Sequence, residues 1–252
     1  MKEKKQNGQT VKHLIQMEQK HVEGLQKVTL VDYPNKIACT IFLFGCNFRC
    51  GFCHNPELVI GNSKNNYSEE EIISFLETRK SSLDGVCITG GEPLINLKKD
   101  FLKKIKNMGF LIKIDTNGSF PEKLKEFIEE NLIDYVAMDI KSSKENYKKI
   151  SSSQIDIKTI EKSIKIISKL PEYEFRTTIL PKVHDKEEMK KIAEWLENIC
   201  QKIPKRFILQ GFKNKGKFID QKYNKEKDVS EEFLKKLKKE IENCFEETEI
   251  RV

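Results

Sequence analysis

Three cysteines at C-x3-C-x2-C spacing, Cys46, Cys50 and Cys53, lie directly behind an apolar run over residues 37–44. Thiolates this close along the chain can point into one small volume, as an iron–sulfur cluster requires. Their number matters. A structural zinc site closes with four ligands, whereas a cluster held by three cysteines leaves one iron open. On the cysteines alone zinc stays an alternative, with Cys39 or a distant cysteine as the fourth ligand. Further polar clusters follow at Gly90-Gly91-Glu92-Pro93, Asp115-Thr116-Asn117-Gly118 and Asp139-Ile140-Lys141, with Arg176 and Gln210 beyond them. Paired glycines let the backbone approach a ligand closely, and Glu92 adds a carboxylate. Taken alone, the same residues make a helix-entry turn, and the Asp and Thr types equally serve as caps. Arg176 falls mid-strand, where it must be paired inside or point outward between helices.

What must position these groups is an alternation of strands and helices. Residues 25–32 end at the turn Tyr33-Pro34-Asn35-Lys36, which predicts a hairpin into the apolar strand 37–44. Ser68-Glu69-Glu70-Glu71 is a capping-box pattern, opening a helix with Ile72, Ile73, Phe75 and Leu76 inward. Strands are expected at 85–89, 110–114, 134–138, 173–180 and 206–210, with a further edge strand at 249–252. Helices fall between them: one at 97–107, one capped by Ser119-Phe120-Pro121-Glu122, and a last one carrying Phe233, Leu234, Leu237, Ile241 and Phe245. Six βα units predict a parallel α/β sheet curved into an open (β/α)6 partial barrel. In parallel barrels chemistry collects where strands end, and each polar cluster above occupies such an end.

The chain of 252 residues suits one sizeable domain over 25–252, preceded by a polar, Lys/Gln-rich and flexible extension over 1–24. No apolar run is long enough to span a bilayer and no secretory signal core is present. The expectation is a cytoplasmic protein without a membrane partner. Seven cysteines without a regular framework fit a reducing compartment. Cys39, Cys87, Cys200 and Cys244 lack ligand-like spacing and read as core packing. The net charge of +7 comes from 46 basic and 39 acidic residues. The lysines are scattered among glutamates, so nucleic acid is not the expected partner. Even the densest basic piece, 213–227 with Phe218 and Tyr223, reads as a solvated loop.

Cys46-Asn47-Phe48-Arg49-Cys50-Gly51-Phe52-Cys53, with aromatic Phe52 before the last cysteine, resembles the signature of the radical S-adenosylmethionine (SAM) superfamily. His54-Asn55-Pro56-Glu57 resembles the subgroup that activates glycyl radical enzymes. The stretch from Gly24 (GLQKVTLVDYPNKIACTIF) resembles the opening of anaerobic ribonucleotide reductase activating proteins. The resemblance implies a radical SAM-type open barrel and a [4Fe–4S] cluster on Cys46, Cys50 and Cys53, its open iron chelated by SAM. One electron would split SAM into methionine and a 5′-deoxyadenosyl radical, which takes a hydrogen atom from a partner's glycine. By the same resemblance Gly90, Gly91 and Glu92 hold the SAM amino group and Lys141 pairs with its carboxylate. Asp115, Thr116 and Asp139 help to bind a monovalent cation nearby. Arg176 contacts SAM or balances Glu92, Phe52 belongs to the cofactor side, and Gln210 meets the nucleoside where relatives carry a histidine. His54 is expected to pack beside the cluster. Residues 57–85 carry no cysteines for a second cluster. The implied partners are a glycyl radical enzyme and an electron donor such as flavodoxin or ferredoxin. Anaerobic ribonucleoside-triphosphate reductase is the first choice of target, and pyruvate formate-lyase an alternative. Two other readings remain: a radical SAM enzyme acting on a small molecule or RNA, like 7-carboxy-7-deazaguanine synthase, and a metal-bearing nucleic-acid-binding module.

Overall fold

In a computed structural model that describes residues 22–64 and 66–252, eight strands form one sheet in chain order. β1 (Val22–Thr29) pairs antiparallel with β2 (Ala38–Leu43), the predicted hairpin. Every later neighbour is parallel: β3 (Gly85–Gly90), β4 (Leu111–Thr116), β5 (Tyr135–Asp139), β6 (Tyr173–Ile179), β7 (Arg206–Gly211) and β8 (Glu247–Arg251). β1 and β8 end the sheet without meeting, so the (β/α)6 barrel of β2–β7 is open. β8 is the expected edge strand, begun two residues earlier at Glu247. β1 likewise begins at Val22 rather than Leu25. The expectation of a flexible extension lies, for residues 1–21, outside the described residues. Among the described residues no helix is long and apolar enough to cross a membrane.

The helices are α1 (Glu57–Ile60), α2 (Glu69–Glu77), α3 (Lys99–Asn107), α4 (Pro121–Glu129), α5 (Tyr147–Ser151), α6 (Ile157–Ile167), α7 (Lys186–Cys200) and α8 (Glu231–Ile241). Local chemistry sets their starts. Ser68 and Glu71 complete the capping box of α2, while Asp156, Asp185 and Ser230 cap α6, α7 and α8 through their side chains. α4 departs from expectation: Pro121 opens it, but Ser119 is not its cap. In α8, Leu234, Leu237 and Ile241 are buried while Phe233 is 37 % exposed. Phe245 falls beyond the helix and stacks on Phe207 at 4.6 Å.

The outward-facing strand residues, among them Ile41, Ile88, Ile112 and Phe175, pack against Leu102, Ile164 and Leu196 of the helices and form the main core. The inward face is different. A small cluster of Tyr33, Ala38, Tyr135 and Ala137 closes the N-terminal mouth of the barrel. Above it the interior is polar and charged: Cys87 on β3, Lys113 and Asp115 on β4, Asp139 on β5, Glu174 and Arg176 on β6. A closed eight-stranded barrel fills this space with branched apolar side chains. Here ion pairs fill it and connect directly to the rim.

Candidate active site

At the C-terminal ends of the strands a cavity of about 250 Å³ opens, and Cys46, Cys50 and Cys53 lie on its wall. The loop carrying them leaves β2 through Gly45, whose φ of +96° favours glycine. Both polar groups of Gly45 are engaged: its N–H donates to Leu58 O (2.9 Å) and its carbonyl accepts from Glu92 N–H (2.7 Å). Gly91 N–H donates to Leu43 O at 3.0 Å. The paired glycines therefore have a packing reason. A Cβ on Gly90 would lie 2.2 Å from Leu43 O, and one on Gly91 2.1 Å from Gly45 O. Close approach to the cysteine loop itself requires them, and both still line the cavity.

On its outer side the loop is held by α5, where Ser151 O accepts from Arg49 N–H (3.2 Å) and from the Cys50 thiol (3.5 Å). The segment after β7 crosses it as a strap. Asp220 N–H donates to Gly51 O at 3.0 Å, Tyr223 meets Phe52 edge-on at 6.0 Å, and Phe218 packs on His54 at 5.5 Å. His54 thus packs as expected. The stretch 213–227 does not behave as a bland loop: Phe218 and Tyr223 are buried, and Ile219 reaches the cavity.

Cys46, Cys50 and Cys53 share one cavity wall, so their thiolates can serve one polynuclear cluster, each on a different iron. Burial pushes all three thiols up, Cys50 to about 12, with the Lys141 ammonium pulling Cys50 the other way. Iron binding must then displace protons from them.

Opposite the cysteines runs an alternating chain of charge. Lys141 Nζ lies 2.9 Å from Asp139 Oδ2, and Arg176 Nε lies 2.9 Å from Asp139 Oδ1. Arg176 Nη1 lies 2.9 Å from Asp115 Oδ2, and Lys113, 1 % exposed, binds the other oxygen of Asp115. The register that sets Asp139 beside Arg176 across β5 and β6 makes this possible. Arg176 therefore points inward and balances Asp115 and Asp139, not Glu92. The flanking cations outweigh burial and hold both aspartates below the usual carboxylate range. Arg176 Nη1 also lies 3.8 Å from Glu174, so the three cations face three carboxylates, and Arg251 shares Glu174 at 3.0 Å. A monovalent cation would have to share the aspartate oxygens with Arg176, Lys113 and Lys141.

Glu92 is placed otherwise than expected. It is 0 % exposed and off the cavity wall, accepting from Leu94 N–H (3.1 Å), the Thr116 hydroxyl (2.8 Å) and Asn117 N–H (2.6 Å). Burial pushes its carboxyl up to about 7 despite those three donors. It braces the turn rather than presenting a free carboxylate, so the cavity meets Gly90 and Gly91 instead. Thr116, with its hydroxyl given to Glu92, still lines the cavity, as do Phe52 and Gln210. The Gln210 side chain makes no hydrogen bond among the described residues, and Gln210 is the penultimate residue of β7, beside Thr178.

Several contributors escaped the sequence reading. Cys87 is no apolar core thiol but sits between Lys113 Nζ (3.7 Å) and Asp115 Oδ1 (3.8 Å). His184 braces Lys141 through its backbone carbonyl at 3.1 Å. Asn47, Asn117 and Ser119 join the cysteine loop to β4. Only the polar run at 115–119 offered a signal for these.

The chain matches the model of the radical SAM superfamily over residues 40–196. A protein of Methanocaldococcus jannaschii, provisionally named a glycyl-radical enzyme activating enzyme, is 34% identical over 239 residues, covering 91% of this chain and 95% of its own length. The pyruvate formate-lyase-activating enzyme of Listeria monocytogenes is 28% identical over 191 residues, covering 71% of this chain and 76% of its own. A solved domain of a pyruvate-formate lyase-activating enzyme from Bacteroides vulgatus superposes with a TM-score of 0.52 at 20% identity, over 66% of this chain and 98% of that one, which bears on the fold alone. Cysteine loop, open barrel and matched segment agree: the chain is an enzyme of the radical SAM superfamily, with glycyl-radical enzyme activating enzymes among its relatives.

Proposed function

We propose that this protein activates a glycyl radical enzyme, and that its target is anaerobic ribonucleoside-triphosphate reductase. The observation that carries the activase reading is the gathering of the cysteine loop, Gly90-Gly91, Asp115-Thr116 and Asp139-x-Lys141 on one cavity wall. The ribonucleotide reductase target rests on the resemblance of residues 24–42. When bound, the [4Fe–4S] cluster and SAM supply reductive cleavage of SAM and removal of a hydrogen atom from a glycine Cα.

The chain's own residues hold and orient these groups. Cys46, Cys50 and Cys53 bind the cluster. Lys141, fixed by Asp139, presents a point charge to the SAM carboxylate. Gly90 and Gly91 offer backbone to the amino group, Glu92 keeps that turn rigid, and Gln210 offers an amide to the nucleoside. Phe52 and the aromatic strap keep water from the cysteines. The open side between β1 and β8 leaves room for a glycine-bearing loop. A flavodoxin or ferredoxin supplies the electron, and dependence of SAM cleavage on potassium tests for a monovalent cation.

The test is anaerobic. Protein reconstituted with iron and sulfide, reduced and given SAM is expected to form 5′-deoxyadenosine, and Cys50→Ala is not. Co-expression with anaerobic ribonucleotide reductase or pyruvate formate-lyase, followed by electron paramagnetic resonance for a glycyl radical, separates the targets. SAM left intact by loaded wild-type protein would refute the activity. A radical on pyruvate formate-lyase alone would refute the target.

A further inference from the structure

Asn117, the third residue of the Asp-Thr-Asn-Gly turn, lines the same cavity and is 6 % exposed and fully engaged. Its backbone N–H donates to Glu92. Its side-chain Oδ1 accepts from Ser119 N–H (2.9 Å) and the Ser119 hydroxyl (2.6 Å). A backbone N–H can only donate, so this contact fixes which end of the amide is oxygen. The Nδ2 end must point the other way, and there it meets Asn47 Oδ1 at 3.0 Å and Cys46 Sγ at 3.8 Å. Asn47 in turn donates to the Ser119 hydroxyl at 2.9 Å, closing the ring. The turn beneath cannot drift: Gly118 holds a φ of +78°, and a Cβ there would lie 2.1 Å from Met138 Cε.

We propose that Asn117 is a positioning residue for Cys46. Its amide gives that sulfur an N–H, and its backbone ties the same point to Glu92 and the Gly90-Gly91 turn. The inference rests on the reading of Cys46 as an iron ligand. Among the described residues Cys46 Sγ has one other donor, Phe48 N–H at 3.4 Å, so removing Asn117 Nδ2 halves those hydrogen bonds. Hydrogen bonds to a ligating sulfur favour the reduced, more negative state of a cluster. Loss of one moves the potential down. The backbone link to Glu92 survives any side-chain change, so the SAM side of the turn should be spared.

The experiment compares reconstituted wild type with Asn117→Ala, Asn117→Asp and Ser119→Ala. The readouts are iron content, Tm, the reduction midpoint with and without SAM, and KM and kcat for 5′-deoxyadenosine formation. At the wild-type midpoint, Asn117→Ala should hold about tenfold less reduced over oxidised cluster, about 59 mV for a one-electron couple. Asn117→Asp, nearly isosteric but facing the sulfur with a carboxylate, should go further. Ser119→Ala should fall between wild type and Asn117→Ala, because it only unlocks the amide. KM for SAM should stay put while kcat drops. If Asn117→Ala loses its fold or its iron, the midpoints of Asn117→Asp and Ser119→Ala decide. Unchanged midpoints in loaded variants would overturn this inference alone. Wild-type protein that binds no cluster would overturn it together with the site reading.

Discussion

His184 offers a measurable consequence of how Lys141 is held. Its Nδ1 accepts from Leu180 N–H at 2.9 Å, so the ring proton must sit on Nε2, which faces Lys141 O at 3.1 Å. The ring is 1 % exposed, and protonating Nδ1 would set it against a backbone N–H. Burial pushes the imidazole down to about 4, against the pull of the Lys141 carbonyl and of Glu188 and Asp185. With the folded pKa below the unfolded one, the unfolded chain binds the extra proton between the two values. Stability then falls as pH drops through that window, from about 6.5 towards 4. At 1.36 kcal/mol per unit this amounts to about 3 kcal/mol across the window. For a domain of this size that is a Tm difference of about 6–12 °C. His184→Asn keeps an acceptor for Leu180 but cannot reach Lys141, so at about pH 7.5 it should cost about 1 kcal/mol. Thermal unfolding in steps down to about pH 4.5 should show the gap closing and then reversing, because the variant lacks the penalised proton. Parallel Tm curves for wild type and variant would refute the reasoning.

Two further substitutions probe the rim. Arg176→Met leaves Asp115 and Asp139 each with one lysine, so at neutral pH it should cost about 3 kcal/mol, the low end for breaking a buried pair. Both carboxylates are held below their usual range, so their contribution is complete above about pH 4 and lost as pH falls further; urea melts should show the variant's penalty shrinking on that acid side, and a penalty independent of pH counts against the pairing. Gly91→Ala puts a Cβ 2.1 Å from Gly45 O and should cost about 1–3 kcal/mol with reduced iron loading. Gly24→Ala, whose Cβ would meet the Phe42 side chain first and no closer than 3.4 Å, is the matched control and should be near neutral.

The βα alternation and the cysteine loop were legible because they depend on residue types that local physics restricts. A capping box at Ser68 has few other meanings, and three thiols after an apolar run have few other uses. Orientation was not legible. Period-two alternation separates the two faces of a strand without saying which one is inside. In this partial barrel the inside carries Lys113, Asp115, Glu174 and Arg176, so it reads like a solvent face. Glu92 was misplaced for a related reason. Its partners Thr116 and Asn117 come from a different strand end, and no local pattern announces that a carboxylate's lone pairs are already taken. Phe218 and Tyr223 sit among lysines that are exposed, and the charge concealed a pair of buried rings.

The charged interior is hard to explain as a stabilising device. Buried ion pairs often do no better than apolar residues of the same volume, because desolvation offsets their attraction. Lys141, Asp139, Arg176, Asp115 and Lys113 nevertheless form an unbroken sequence from the rim into the barrel, each carboxylate bridging two cations. Such an arrangement restricts geometry. The Lys141 ammonium is set by Asp139, which is set by Arg176, and the Lys141 backbone is set separately by His184. A flexible four-carbon side chain is thereby turned into a fixed charge facing the cysteines. An apolar interior of equal stability would leave that charge free to wander. The ion pairs are better understood as the mounting of the binding cavity than as the core of the fold.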